Sequence, residues 1–288
     1  MSTFEAILLG IVQGLTEFLP VSSSGHLVLF QNWLGLSEPM VAFDVAVHLG
    51  TVLSIFTIYY KPLVSIFNDV VLFVKDRKPR PGATVFFLVF LGSIPTAIIG
   101  LGFKKYFELM FGSTLAVGSA LIVTGFLLLM TRNARHRPTE HTLRRPMGSP
   151  LEVLIKGQKT KSLLYIDKLT WIKAIAIGFA QGLAITPGIS RSGTTISIAL
   201  ILGVDRHMSA LFSFLLAIPA VLGASILELS KVSWESGTLK TFGIGFVTAY
   251  IFGVIGLWLV LKLVKYGRLE VFTPYLWLIG AWAIFQAI

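Results

Sequence analysis

The 288-residue chain has no cysteine, which excludes disulfides, thiol catalysis, Cys-based zinc sites and iron–sulfur clusters. Charge is nearly as scarce. Asp, Glu, Lys and Arg supply 13% of the residues, about half of the roughly 25% usual in soluble domains. Acidic residues are the rarer sign, 14 against 24 Lys and Arg. A disordered chain, a coiled coil and a soluble nucleic-acid binder are excluded by this composition. What is abundant is apolar surface: 55% of the residues are hydrophobic and the mean hydropathy is +0.81. The fold class expected is an all-α polytopic membrane protein, with residues 1–288 as a single membrane domain. The net charge of +10 then asks which membrane face carries it, and no nucleic-acid partner is expected.

A membrane-spanning helix needs about 20 apolar residues to cross about 30 Å of hydrocarbon. Stretches 83–103, 111–131, 208–227, 241–261 and 271–288 contain no charged residue or histidine. A sixth, 41–60, carries only Asp44 and His48 and closes on Tyr59, Tyr60 and Lys61, an interfacial pattern. Residues 4–36 and 171–204 differ. Each has two short apolar arms flanking a polar centre rich in Gly and Ser. An arm of about 11 helical residues rises about 16 Å, half the hydrocarbon core. Two broken, re-entrant helix pairs are therefore expected, and irregular backbone at that depth survives only inside protein or beside a wet cavity. The N-terminus does not read as a signal peptide, because Glu5 is its only charge before Glu17 and the basic first segment is missing.

The two polar centres align without a gap. QGLTEFLPVSSSGHL (13–27) and QGLAITPGISRSGTT (181–195) share six of fifteen positions, and these are the Gln, Gly and Ser positions as well as one Leu. The expected architecture is an inverted-topology repeat: repeat one over 1–131, a basic linker over 132–170 and repeat two over 171–288. Each repeat would be a re-entrant pair plus three transmembrane helices. Three spans between the copies make the second enter from the opposite face, and such folds place their sites near the midplane. Eighteen of the 24 Lys and Arg fall on one side of this scheme and four on the other. The positive-inside rule puts the basic loops in the cytoplasm and both termini outside a cell (inner) membrane. The linker is expected to anchor this topology on anionic lipid, with His136 and His141 in a wet loop rather than on a metal.

Arg191 is the most informative residue. An Arg at a helix centre costs about 2.5–3.5 kcal/mol to insert and needs an anionic partner. Glu17 is the only acidic residue in either broken centre. The two residues form either a structural ion pair or part of an anion clamp, since a guanidinium fork matches phosphate or carboxylate oxygens. Ser22, Ser23, Ser24 and Gly25 surround the first break, and Ser190, Ser192, Gly193, Thr194 and Thr195 the second. Such residues cap helix N-termini, which are also anion sites. His26, three residues after Ser23, suggests a hydroxyl and an imidazole on one helical face, with Glu17 orienting them or binding a metal. Asp44 and His48, four apart, are too few for a metal site and read as a structural hydrogen bond. Gly10 and Gly14 read as close helix packing.

On these residues the chain resembles the undecaprenyl-diphosphate phosphatase family, membrane enzymes linked to bacitracin resistance. The first family motif, Glu/Gln-x-x-x-Glu followed by Pro-Val-Ser-Ser-x-Gly-His, is matched by Gln13 to Glu17 and Pro20 to His26. The second, Pro-Gly-x-Ser-Arg-Ser-x-x-Thr, is matched by Pro187 to Thr195. The resemblance implies hydrolysis of the terminal phosphate of a polyprenyl diphosphate, which recycles the lipid carrier for cell-wall synthesis. It implies catalytic roles for Glu17, Ser23, His26 and Arg191. Substrate contacts would come from Gln13, Ser22, Ser24, Gly25, Ser190, Ser192, Gly193 and Thr195. A divalent cation, Mg²⁺ or Ca²⁺, is expected on Glu17. Many members carry Glu where this chain has Gln13, which weakens any two-carboxylate metal site. Expected partners are the polyprenyl diphosphate, membrane lipids, bacitracin as a competitor for the substrate, and a second copy in a homodimer.

Ser23 is the expected nucleophile, with His26 as base or leaving-group acid; attack by His26 or by water stays open. Two rivals fit part of the pattern. A flippase or secondary transporter shares inverted repeats and broken helices but needs no nucleophile. Another membrane phosphatase class pairs Ser-Gly-His with Ser-Arg-x₅-His, and here Ser197 stands where the second histidine belongs.

Overall fold

The computed structural model describes residues 1–36, 40–134, 168–229, 238–266 and 268–287, with backbone only for Asn133, Ala134, Leu229 and Thr238. Most of the linker, with His136 and His141, lies outside the described residues. All regular structure among the described residues is helical. The helices are α1 (Thr3–Thr16), α2 (Ser23–Trp33), α3 (Val41–Ile58), α4 (Tyr60–Asp76), α5 (Pro81–Gly102), α6 (Lys104–Phe111) and α7 (Thr114–Ala134). After the linker come α8 (Trp171–Leu183), α9 (Arg191–Ile201), α10 (Arg206–Leu229), α11 (Thr238–Tyr266) and α12 (Thr273–Ala287).

Five of these helices, α3, α5, α7, α10 and α11, are long and apolar enough to cross a membrane, and the chain is a multi-pass membrane protein. The span expected over 271–288 differs. Stretch 271–288 begins in a 3₁₀ turn, Leu269–Phe272, and its α-helix has 15 residues, about 22 Å at 1.5 Å per residue. Residues 61–80, outside the expected spans, contain most of α4, which starts directly after Tyr59. Its apolar positions recur at helical spacing among Lys61, Asp69 and Lys75, so only Pro62 and Ile66 are buried. Asp69 Oδ2 accepts the Gly82 N–H at 2.8 Å and ties α4 to the start of α5.

The arms of the two polar centres are short. Helix α1 has 14 residues and α2 has 11; α8 has 13 and α9 has 11. Each spans about 16–21 Å. The break after α1 runs through residues 17–22 and the break after α8 through 184–190. Ser2 begins α1 with a capping box: its hydroxyl accepts the Glu5 N–H at 3.2 Å and Glu5 Oε2 accepts the Ser2 N–H at 2.6 Å.

Small residues bring the arms onto long helices. Helix α1 lies on α11, where a Cβ on Gly14 would stand 2.8 Å from the Gly253 nitrogen. Helix α8 lies on α5, where a Cβ on Gly178 would overlap the Gly92 carbonyl and one on Gly182 would stand 2.7 Å from Ile99 Cδ1. Gly178 and Gly182 occupy the positions that align with Gly10 and Gly14. The alignment of the two centres therefore extends upstream into packing contacts. Helices α7 and α12 meet reciprocally at Gly118 and Gly280, each Cβ position 2.8 Å from the other's carbonyl oxygen. Gly178→Leu overpacks the α5–α8 contact at a cost of about 1–3 kcal/mol or more. A lower thermal midpoint in detergent is expected, and an unchanged midpoint would mean that the two backbones do not approach there.

Candidate active site

Glu17 sits at the C-terminus of α1, where Phe18 packs edge-on against Phe214 of α10 at 5.5 Å. That anchor turns the carboxylate inward, and its side chain is 7% exposed. Four side chains converge on it. Gln13 Nε2 donates to Oε2 at 2.8 Å from one helical turn back, and Ser23 Oγ donates to the same oxygen at 2.6 Å. The Arg191 guanidinium pairs with Oε1 across the interface of the two polar centres. His48 Nε2 of α3 lies 3.5 Å from Oε2. A buried carboxylate needs such compensation, because its desolvation is repaid only by charge and hydrogen bonds together.

Ser23 and Arg191 are aligned positions, and each is the first residue of its helix. The caps before them match as well. Ser22 Oγ accepts the Gly25 N–H at 3.3 Å and Ser190 Oγ accepts the Gly193 N–H at 3.0 Å. Ser24 and Ser192 then lie beside the caps, with Oγ–Oγ distances of 3.4 and 3.3 Å. Ser22 holds φ 66° and ψ 91°, a left-handed conformation that is unfavourable for a residue with a Cβ and typical of constrained sites. Gly188 has φ +93°, and a Cβ there would overlap the Val117 carbonyl. Thr124 of α7 fixes this second break, donating to the Gly188 carbonyl at 3.0 Å and accepting the Ser190 N–H at 3.1 Å.

The two breaks touch. Ser192 Oγ donates to the Leu19 carbonyl at 3.2 Å. A Cβ on Gly25 would stand 3.1 Å from Gly188 Cα, and one on Gly193 would stand 3.1 Å from Pro20 Cβ. Side chains at either glycine would wedge the breaks apart.

The sequence reading put Ser23 beside His26. In the structure Ser23, at the first helical position, points back to Glu17. His26 points to the other side, with Nδ1 2.8 Å from the Ser22 carbonyl oxygen and Nε2 2.6 Å from the Tyr275 hydroxyl of α12. Thr195 also faces away from the carboxylate: its hydroxyl donates to the Arg191 carbonyl at 2.8 Å and shares a bond with Ser213. Sequence reasoning missed Tyr275, Ser213, Thr124 and the role of His48. His48 Nδ1 does make the structural bond expected near Asp44, but to the Asp44 carbonyl at 2.6 Å, while the Asp44 carboxylate accepts from Gln31 at 2.7 Å. The signal for His48 was an ionisable residue inside an apolar span.

No group of three or more His, Asp or Glu side chains able to hold a metal ion occurs among the described residues. The oxygen donors at hand are Glu17 and Gln13 Oε1, a buried atom without a hydrogen-bond partner. This set fits a hard cation that takes most of its ligands from a phosphate substrate and water.

The family model described as Bacitracin resistance protein BacA matches residues 6–282. The chain is 40% identical over 285 residues to a protein named undecaprenyl-diphosphatase in Carboxydothermus hydrogenoformans, covering 97% of this chain and 95% of the relative. Proteins of the same name in Desulforapulum autotrophicum and Desulfatibacillum aliphaticivorans are 39% and 38% identical. They cover 97% and 98% of this chain, and 96% and 97% of their own lengths. With the match spanning both polar centres and all five long helices, the chain belongs to the bacitracin resistance protein BacA family.

Proposed function

We propose that this protein is an integral-membrane undecaprenyl-diphosphatase, releasing phosphate from undecaprenyl diphosphate and returning the monophosphate carrier to cell-wall synthesis. The observation that carries the reading is the convergence of a hydroxyl, a carboxylate and a guanidinium from two aligned helix breaks. A transporter or flippase gains nothing from Ser23 held 2.6 Å from a buried carboxylate.

The arrangement read here is an inverted repeat, 1–131 and 171–288, joined by the linker 132–170. The short arms enter from opposite leaflets and meet near the midplane, with the basic loops in the cytoplasm of the cell membrane and both termini outside. The matching glycine contacts of α1 on α11 and α8 on α5 support it. In this frame the diphosphate lies at the breaks while its polyprenyl tail stays in hydrocarbon.

Arg191 and the N-termini of α2 and α9 stabilise the equatorial oxygens that gain charge in phosphoryl transfer. Ser22, Ser24, Gly25, Ser190, Ser192 and Gly193 shape that cradle, and Thr195 fixes the first turn of α9 beneath Arg191. Ser23 attacks the terminal phosphorus and passes its proton to Glu17. The bridging P–O bond breaks and undecaprenyl monophosphate leaves. Water, activated by His26, then hydrolyses the phosphoserine, and Glu17 returns a proton to Ser23. Glu17 and Gln13 Oε1 would hold a divalent cation, Mg²⁺ or Ca²⁺, which supplies charge neutralisation on the diphosphate.

Purified protein in detergent should release orthophosphate from a polyprenyl diphosphate; a flippase would release none. Bacitracin, competing for the substrate, should slow that release. Chelation with EDTA should lower turnover, and added Mg²⁺ or Ca²⁺ should restore it. Full activity in EDTA would leave Glu17 working as a base without a cation.

A further inference from the structure

His26 makes two hydrogen bonds whose directions can be worked out. The Ser22 carbonyl only accepts, so Nδ1, 2.8 Å away, carries the ring hydrogen. In the neutral imidazole, Nε2 is then the acceptor, and the hydroxyl 2.6 Å from it, that of Tyr275, is the donor. The two ring planes are nearly parallel, at 10°, with centroids 5.7 Å apart.

Tyr275 is held from both sides. Thr273 Oγ donates to the Gly125 carbonyl at 3.1 Å and Trp277 Nε1 to the Ile122 carbonyl at 3.3 Å, pinning the first turn of α12 to α7. Helix α7 also positions the Arg191-bearing break through Thr124. One helix thus sets both the guanidinium and the phenol. His26 itself is 4% exposed, whereas Tyr275 is 42% exposed. The phenol therefore lies between a buried imidazole and the surroundings.

From this geometry we propose that Tyr275 is a proton relay for His26 in the phosphatase reaction. The proposal rests on the reading of His26 given above. The single lone pair of Nε2 is already taken by the Tyr275 O–H. A proton leaving the attacking water enters the Tyr275 oxygen as the Tyr275 proton moves to Nε2. No net charge develops on the phenol. The dyad ends as Nε2–H donating to the Tyr275 hydroxyl, so one side chain partners both protonation states of His26. The reverse transfer resets the pair. Phenylalanine fills the same apolar space and can do neither.

Two measurements test this. The first is phosphate release from a polyprenyl diphosphate by Tyr275→Phe. A general acid–base contribution is about 10²–10⁴-fold, so kcat should fall about 10²-fold with KM unchanged and the thermal midpoint close to that of the unsubstituted protein. In a His26→Gln background the same substitution should cost nothing further. Unchanged kcat, or an equal loss in both backgrounds, overturns the relay. The second does not use turnover: ¹⁵N NMR of histidine-labelled protein should give His26 as the Nδ1–H tautomer, with Nε2 shifting on Tyr275→Phe. An unmoved Nε2 signal overturns the proposal even if the protein hydrolyses its substrate normally. A shifted signal in a protein that releases no phosphate would uphold the His26–Tyr275 pair and sink the phosphatase reading instead.

Discussion

Arg191→Lys should lower kcat/KM for polyprenyl diphosphate by about 10²-fold, and Arg191→Ala by about 10³–10⁵-fold, the range measured when an arginine that stabilises phosphoryl transfer is lost. The two variants separate clamp from ion pair. Lysine keeps a positive charge beside Glu17, so folding should survive, but a point charge cannot reproduce the planar fork. Alanine removes the guanidinium paired with Glu17 and strands that carboxylate, whose side chain is 7% exposed. Breaking a buried pair costs about 3–5 kcal/mol, so Arg191→Ala should also melt at a lower temperature. If Arg191 served only to neutralise Glu17, Arg191→Lys would keep nearly full turnover, and steady-state kinetics on protein that is folded by gel filtration would reveal it.

Ser23→Ala should be the other large effect, reducing kcat by about 10⁴-fold or more, as expected when a nucleophile is deleted. KM should change little, because Arg191 and the helix termini remain. The protein should stay folded, since Glu17 keeps Gln13 at 2.8 Å and the Arg191 pair. His26→Ala should stall later. Its first turnover should leave phosphate on Ser23, detectable by mass spectrometry of quenched protein. If Ser23→Ala stays active while His26→Ala is inert and carries no phosphoserine, the nucleophile is His26 or a water, and Ser23 only orients Glu17.

Long-range pairing set the limit of what the sequence could tell. The five long helices were legible because each is an apolar run whose interior is nearly free of charge. Helix α4 was not, because Lys61, Asp69 and Lys75 interrupt its apolar face and the run never exceeds a few residues. The last span was overestimated because the 3₁₀ turn Leu269–Phe272 takes up its first residues and leaves α12 only 15. At the site, the meeting of Glu17 with Arg191 followed from electrostatics alone: one buried cation, one acidic residue and two aligned centres. The partner of Ser23 did not follow. A spacing of three places Ser23 and His26 on one helical face only within a helix, and Ser23 is the first residue of α2, where its hydroxyl can turn back over the break. His48 and Tyr275 reach the site from α3 and α12, 31 residues beyond Glu17 and 249 beyond His26 respectively. No local pattern encodes such contacts. The alignment of Gly10 and Gly14 with Gly178 and Gly182 was available in the sequence, and its meaning emerged from the α1–α11 and α8–α5 contacts.

In the proposed reaction both breaks jointly build one diphosphate site. Its most direct test is ³¹P NMR of a non-hydrolysable polyprenyl methylenediphosphonate added to purified protein. The terminal phosphorus resonance should shift with the unsubstituted protein and with Ser23→Ala, and should stay at its free position with Arg191→Ala. A shift of full size with Arg191→Ala would place the diphosphate elsewhere and contradict the account.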